Sequence, residues 1–297
     1  RAGMEGPLTA GPAPRPSRRA APWNLASLLL LPAGLLLIAF LAVPLCAMVW
    51  LSLTPNNLVH FQGHGLGNYA YLLAKPYYRR VALRTFRIAI EATVVALLIG
   101  YPTALALRAV AARVAGAITL AMTLPILSGP LVVVLGWMIL LSDGGPVFAP
   151  LARWDLIPRF GLLGSETGIV IGIVHFVLPF VVLSLASVLR NIPAPLLEAA
   201  SSLGAGAWQR FVQVILPLSL PGVLSAAVIA LSLSMSSFIA PHYLGGPSDL
   251  TLTTLVAQFV LATYDGQMAA AVSVVLLVAM AGLILLLTTG LSRRLRR

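Results

Sequence analysis

Charge is what this chain has least of. Lys, Arg, Asp and Glu together make up 9% of its 297 residues, where a soluble globular domain carries about 25%. With 59% hydrophobic residues, the chain reads as an integral membrane protein, and a water-soluble fold is excluded. Acidic residues are scarcest, 8 against 19 Lys and Arg, for a net charge of +11. The arginines stand at the edges of apolar runs and not on one face interleaved with aromatics, so the excess reads as membrane topology, with no nucleic acid as partner. A single cysteine, Cys46, rules out an internal disulfide and any Cys-based metal site. The four histidines are scattered without ligand spacing. No phosphate-cradling glycine loop followed by Lys and Ser or Thr occurs, so the chain itself does not hydrolyse ATP by that route. No catalytic residue, metal site or bound cofactor is expected.

What is present is a series of apolar runs of the length needed to cross a bilayer, roughly 20 residues each. They give an all-α membrane protein with spans at about 25–53, 83–107, 115–141, 168–189, 218–238 and 269–291. Residues 1–22, rich in Pro, Ala, Gly and Arg, are expected to be a disordered basic tail, residues 23–292 the membrane domain, and residues 293–297 a second basic tail. Arginines at both ends put both termini in the cytoplasm under the positive-inside rule. Between the first two spans, Leu66 to Leu73 reads as a short amphipathic helix followed by Lys75, Arg79, Arg80, Arg84 and Arg87. Those cations argue against the external location that the topology requires. Pro125, Gly129 and Pro130 interrupt the third run, and such broken helices line a cavity or pack on protein.

Few polar groups lie inside the runs. Glu91 is a pathway candidate because ionisable groups in a span are costly, although Arg87 stands four residues before it, in reach of a structural pair. His175 is either packed by hydrogen bonding or part of a pathway. Ser234, Ser237 and Phe238, at the end of the fifth run, are candidates for a polar pathway or for helix packing. Asp249 and Asp265 mark an external loop, and Ser142 to Thr167 another that holds a short surface helix.

One stretch is unlike the rest. Residues 191–217 contain PLLEAASSLGAGAWQRFVQVILP, polar and apolar in helical alternation. Asn191 is the expected N-cap, Pro193 and Pro195 suit a first turn, and Gly204 suits a left-handed bend. A second short helix, about Ala207 to Leu216, is expected to carry Trp208, Phe211 and Ile215 on one stripe and to stop at Pro217.

Glu198, Ala199 and Ala200, then Gly204, Val214, Leu216 and Pro217, match the spacing of the EAA signature of ABC importer permease subunits, with Val214 where isoleucine is usual. LGNYAYLL, GYPTALALR and FIAPHYLGGP resemble the polyamine-type branch of that family, and the similarity covers most of Trp23 to Leu291. The resemblance implies a type I importer fold in the bacterial inner membrane. It implies that residues 191–217 form a cytoplasmic coupling helix that docks on an ATPase subunit through Glu198, Ala199, Ala200, Gly204, Trp208, Gln209, Phe211, Leu216 and Pro217. It also implies a second permease subunit and an external solute-binding protein as partners, with ATP and Mg held by the ATPase subunits. Polyamine is the first expectation for cargo; an aminophosphonate, opine, ferric iron or thiamine are alternatives. An ion-coupled secondary transporter using Glu91 and His175 is the rival mechanism, and it leaves the signature unexplained.

Overall fold

In the computed structural model, the described residues are 25–55, 65–146, 149 and 162–295, with side chains described between 31 and 289. The expected basic tail 1–22, residues 147, 148 and 150–161 of the loop expected to hold a surface helix, and Arg296 and Arg297 of the C-terminal tail lie outside them. Among the described residues every element is helical, the one open-ended structure that satisfies all backbone groups in hydrocarbon. Five helices are long and apolar enough to cross a membrane, or six with a bent pair counted as one span.

The chain divides at Ala47 and Met48 into two compact units. The first consists, where described, of most of α1 (Leu25–Ser52), which keeps Pro32 and Pro44 within the helix. The second unit starts with the last turn of α1, where Ser52 Oγ meets Tyr69 Oη at 2.6 Å. Buried Asn68 donates to the Ser52 carbonyl at 2.8 Å, which sets α2 (Gly67–Ala74) against that turn.

The core of the second unit is built on α3 (Pro76–Ala109), α6 (Glu166–Arg190) and α9 (Leu216–Ser236). Lipid is as apolar as leucine, so helices in a bilayer associate by close packing, which favours small residues at the contact. On α3, Ala92, Ala96, Gly100 and Ala104 follow every fourth position and are all buried. On α9, Ser219, Gly222, Ala226 and Ala230 follow at spacings of three, four and four and are likewise buried. A Cβ added at Gly222 would lie 2.8 Å from Val188 Cβ of α6, so that approach is open to glycine alone. Ile88, Ile173, Val177 and Leu185 fill the space between these stripes. A second cluster joins α2 to α11 (Leu252–Leu261) and α12 (Gly266–Leu295) through Leu72, Leu255, Phe259 and Met268.

The third run is two helices, α4 (Ala112–Ser128) and α5 (Pro130–Leu141), bent by 99°. Pro125 stays inside α4. The break falls at Gly129, where φ of +82° is open to glycine and Pro130 starts the next helix. Past α9, the segment expected to be an external loop is largely helical: α10 (Ile239–Leu244) and the apolar α11. α11 forms because Thr251 caps it, its Oγ1 accepting from the Thr254 backbone N–H, while the Leu252 N–H is taken by Thr85 Oγ1 of α3 at 2.9 Å.

Candidate functional site: a projecting loop continuous with a cavity wall

The segment after α6 begins differently from expectation. Asn191 closes α6, and Pro193, in extended conformation, precedes α7 (Ala194–Ser202) with Pro195 in its first turn. Proline sets that entry without a capping side chain. Gly204 then takes φ +82°, where a side chain costs about 1–2 kcal/mol. Gly206 leads into α8 (Ala207–Arg210), and its N–H is taken by Gln209 Oε1 at 2.9 Å, so Gln209 caps the loop it sits on. Glu198 lies beyond the first turn of α7 and is exposed, and Arg210 donates to Ser201 Oγ at 2.9 Å, so the bend is braced by Ser201 rather than by a Glu198–Arg210 pair.

The second helix does not stop at Pro217. After α8 the chain makes a π turn, Phe211–Ile215, and passes directly into α9. Wider i→i+5 bonding lets the Leu216 N–H reach the Phe211 carbonyl, and the helix accommodates a residue with no N–H of its own. Ala207 to Ser236 is therefore one apolar helical run of 30 residues.

The expected aromatic stripe divides in two. Trp208 is 73% exposed. Phe211 is half-buried, its ring 5.9 Å from Tyr101 of α3 in edge contact, and Tyr101 Oη is 2.7 Å from Ser219 Oγ. Phe211 thus fastens the loop to the bundle and lies beside Trp208 with the rings tilted by 31° and their centres 5.5 Å apart. Leu203, next to the bend, is 89% exposed. Ala199 and Pro217 are exposed, and Ala200 and Leu216 half-buried.

The far end of the same helix lines a cavity of about 390 Å³ between α5, α6, α9 and α10. Two helix breaks meet there, Gly129–Pro130 of the third span and Ser237–Phe238 between α9 and α10. Pro130, Phe176, Ser236, Ser237 and Phe238 are in its wall. The broken backbone at Ser237 is satisfied by Thr253, whose Oγ1 donates to the Ser237 carbonyl at 2.8 Å. Of the pathway candidates, Ser237 and Phe238 are brought together here. Ser234 is one turn away, with its Oγ buried and without a hydrogen-bond partner. His175 is placed elsewhere, in a cleft with Met122 and Pro125 and edge-on to Trp137 at 5.7 Å.

Glu91 is also outside that wall. It stands midway along α3, exposed and 3.7 Å from Arg87. Arg87 Nε donates to Glu166 Oε1 at 2.7 Å, and Arg84 lies 3.6 Å from Asp249. Asp265 Oδ1 accepts from the Met268 N–H at 2.9 Å. Glu91, Asp249 and Asp265 are therefore engaged within the fold. The same pairs offset two of the cations that made the first loop look too basic for the outside.

These features can be set beside known proteins. The family described as the binding-protein-dependent transport system inner membrane component matches residues 92–297. The spermidine/putrescine transport system permease protein PotB of Escherichia coli strain K12 is 31% identical over 233 residues, 78% of this chain and 84% of that protein. The trehalose transport system permease protein SugA of Mycobacterium tuberculosis is 30% identical over 241 residues, 80% of this chain and 78% of that protein. A chain in the crystal structure of a bacterial alginate ABC transporter, in complex with an alginate pentasaccharide-bound periplasmic protein, superposes with a TM-score of 0.72 at 17% identity. It covers 91% of this chain and 95% of that one, and shares its fold. The broken spans, the projecting loop and the sequence match agree: the chain belongs to the binding-protein-dependent transport system inner membrane components, and is a multi-pass permease subunit of an ABC importer.

Proposed function

We propose that this subunit forms half of a translocation pathway and converts ATPase closure into opening of the cavity at Ser237 and Phe238. One observation carries the reading: the projecting Trp208 and the cavity wall belong to the same helical run, Ala207–Ser236. At 1.5 Å per residue that run is about 45 Å long, enough to connect a cytoplasmic surface to the interior of a bilayer. Trp208 and Leu203 are the apolar groups that an ATPase groove would cover. Glu198, Ala199, Ala200 and Gly204 shape the bend that presents them. Closure of an ATPase dimer, which holds ATP and Mg, draws Trp208 toward the equivalent loop of a second permease subunit. The outward-facing state gains population because the docked contacts differ between the two states.

The coupling end and both termini then face the cytoplasm. The Arg87–Glu166 end faces an external solute-binding protein. Polyamine is the cargo that the similarity to PotB supports. The cavity would receive a polyamine cation through the aromatic faces of Phe176 and Phe238 and the hydroxyls of Ser236 and Ser237, because the nearby carboxylates are paired. Those lining groups also suit a neutral solute, in line with the similarity to the trehalose permease SugA.

Reconstitution of the complete importer in proteoliposomes tests the reading. Spermidine-loaded binding protein is expected to stimulate ATP hydrolysis and labelled spermidine uptake together. Stimulation by a neutral disaccharide alone replaces the cargo assignment; uptake without ATP overturns the coupling mechanism.

A further inference from the structure

At the coupling end a separate cleft of about 660 Å³ opens between the ends of α3 and α6 and the start of α4. Arg108 and Arg190 line it, each in the last turn of its helix. A cation there complements the helix dipole, and Arg108 Nη2 donates to the Ile192 carbonyl at 3.0 Å. That role leaves part of the site unexplained. Arg108 Nη1 is buried without a hydrogen-bond partner. The carboxylates that form ion pairs among the described residues, Glu91, Glu166 and Asp249, pair with Arg84 and Arg87 in the first half of α3. No carboxylate is among the residues lining the cleft, so an anion entering it meets two cations and no like charge.

The remaining wall indicates what carries that anion. Gly116, Thr119, Leu120 and Thr123 line the cleft at i, i+3, i+4 and i+7 of α4, one stripe running about 10 Å along the helix. Leu120 is 61% exposed, and a Cβ at Gly116 would meet nothing within 4 Å, so the stripe is open. A free phosphate would satisfy the arginines and leave the stripe bare. A phospholipid covers both, its phosphate on the cations and an acyl chain along α4. We infer that this cleft is a binding site for an anionic phospholipid of the leaflet on the coupling side, a chemistry suited to basic pockets between spans.

Native mass spectrometry of the importer assembled with its ATPase, in mild detergent, tests this. The added probes are phosphatidylglycerol, phosphatidylcholine of the same chains, and inorganic phosphate. Phosphatidylglycerol is expected to be retained in preference, and Arg190→Gln to lower its retention about fivefold with phosphatidylcholine unchanged. Arg190 makes no bond to the Ile192 carbonyl, so this variant leaves the α6–α7 junction intact. Gly116→Leu fills the open stripe and keeps both cations; it is expected to abolish phosphatidylglycerol retention. Equal retention of the two lipids, or retention unaffected by both substitutions, overturns the site. So does phosphate binding that persists in Gly116→Leu and displaces lipid, which makes it a soluble-anion site, or a cross-link from Thr119→Cys to another subunit, which makes it a protein interface. Cargo uptake is not a readout, so failure here leaves the transport reading standing.

Discussion

Arg87 donates to Glu166 across 79 positions of sequence, Nε to Oε1 at 2.7 Å, and so joins the first half of α3 to the first residue of α6. With Arg84 against Asp249 and Glu91 beside Arg87, it makes one charge cluster at the end opposite the coupling loop. The cluster is partly exposed, and such pairs contribute little individually to stability. Its consequence is for recognition: Glu91 faces an arginine of its own helix and lies outside the cavity wall. Glu91→Gln is expected to leave the KM for cargo uptake within about twofold, since an exposed pair is worth only about 0–1 kcal/mol. A KM rise of ten times or more, measured in proteoliposomes, would return Glu91 to the pathway.

Trp208 and Phe211 have different surroundings, and their truncations should separate. Trp208→Ala removes an exposed side chain and is expected to leave the melting temperature of the isolated chain unchanged. It weakens ATPase attachment by about 2 kcal/mol, near thirtyfold in affinity. Phe211→Ala removes the contact with Tyr101 and is expected to lower the melting temperature. Thermal unfolding and quantitative copurification, run on both variants, check the pair.

Gly204→Ala is the test of the bend. At φ +82°, alanine pays about 1–2 kcal/mol of backbone strain, enough to shift α7 relative to α8. The expected result is a folded subunit that hydrolyses ATP with its partners but transports less cargo per ATP. Unchanged stoichiometry contradicts it.

Gly222→Leu probes the close approach of α9 to α6. With Val188 already 2.8 Å from a Cβ at that position, the added side chain overpacks the contact by about 1–3 kcal/mol. Loss of the monodisperse folded fraction in detergent is expected, and normal yield and melting would contradict the packing.

Much of this could be read from the residues. Gly204 and the pair Gly129–Pro130 announced their turns, because positive φ and a helix start have few other residue solutions. What escaped were features whose cause is distant or geometric. Pro217 signals a helix end, and only the π turn at Phe211–Ile215 shows how the helix continues past it. The start of α11 looked like loop because, beside its local Thr251–Thr254 cap, the Leu252 N–H is taken by Thr85, 167 positions away. The Arg87–Glu91 pair was legible from its four-residue spacing, whereas Glu166 and Asp249 meet Arg87 and Arg84 from far along the chain and carry no local periodicity. Small-residue spacing on α3, from Ala92 to Ala104, was visible and would have identified the core face.

The most direct test of the central claim is to interrupt the helix between Trp208 and the cavity without touching either. In the reconstituted importer, Val212→Gly combined with Val214→Gly weakens the run at its π turn by about 1 kcal/mol per glycine. ATPase copurification, ATP hydrolysis and cargo uptake are measured on the same preparation. The account predicts normal copurification and hydrolysis with cargo uptake largely lost. Uptake that stays proportional to hydrolysis would show that Trp208 and the cavity are coupled by some other route.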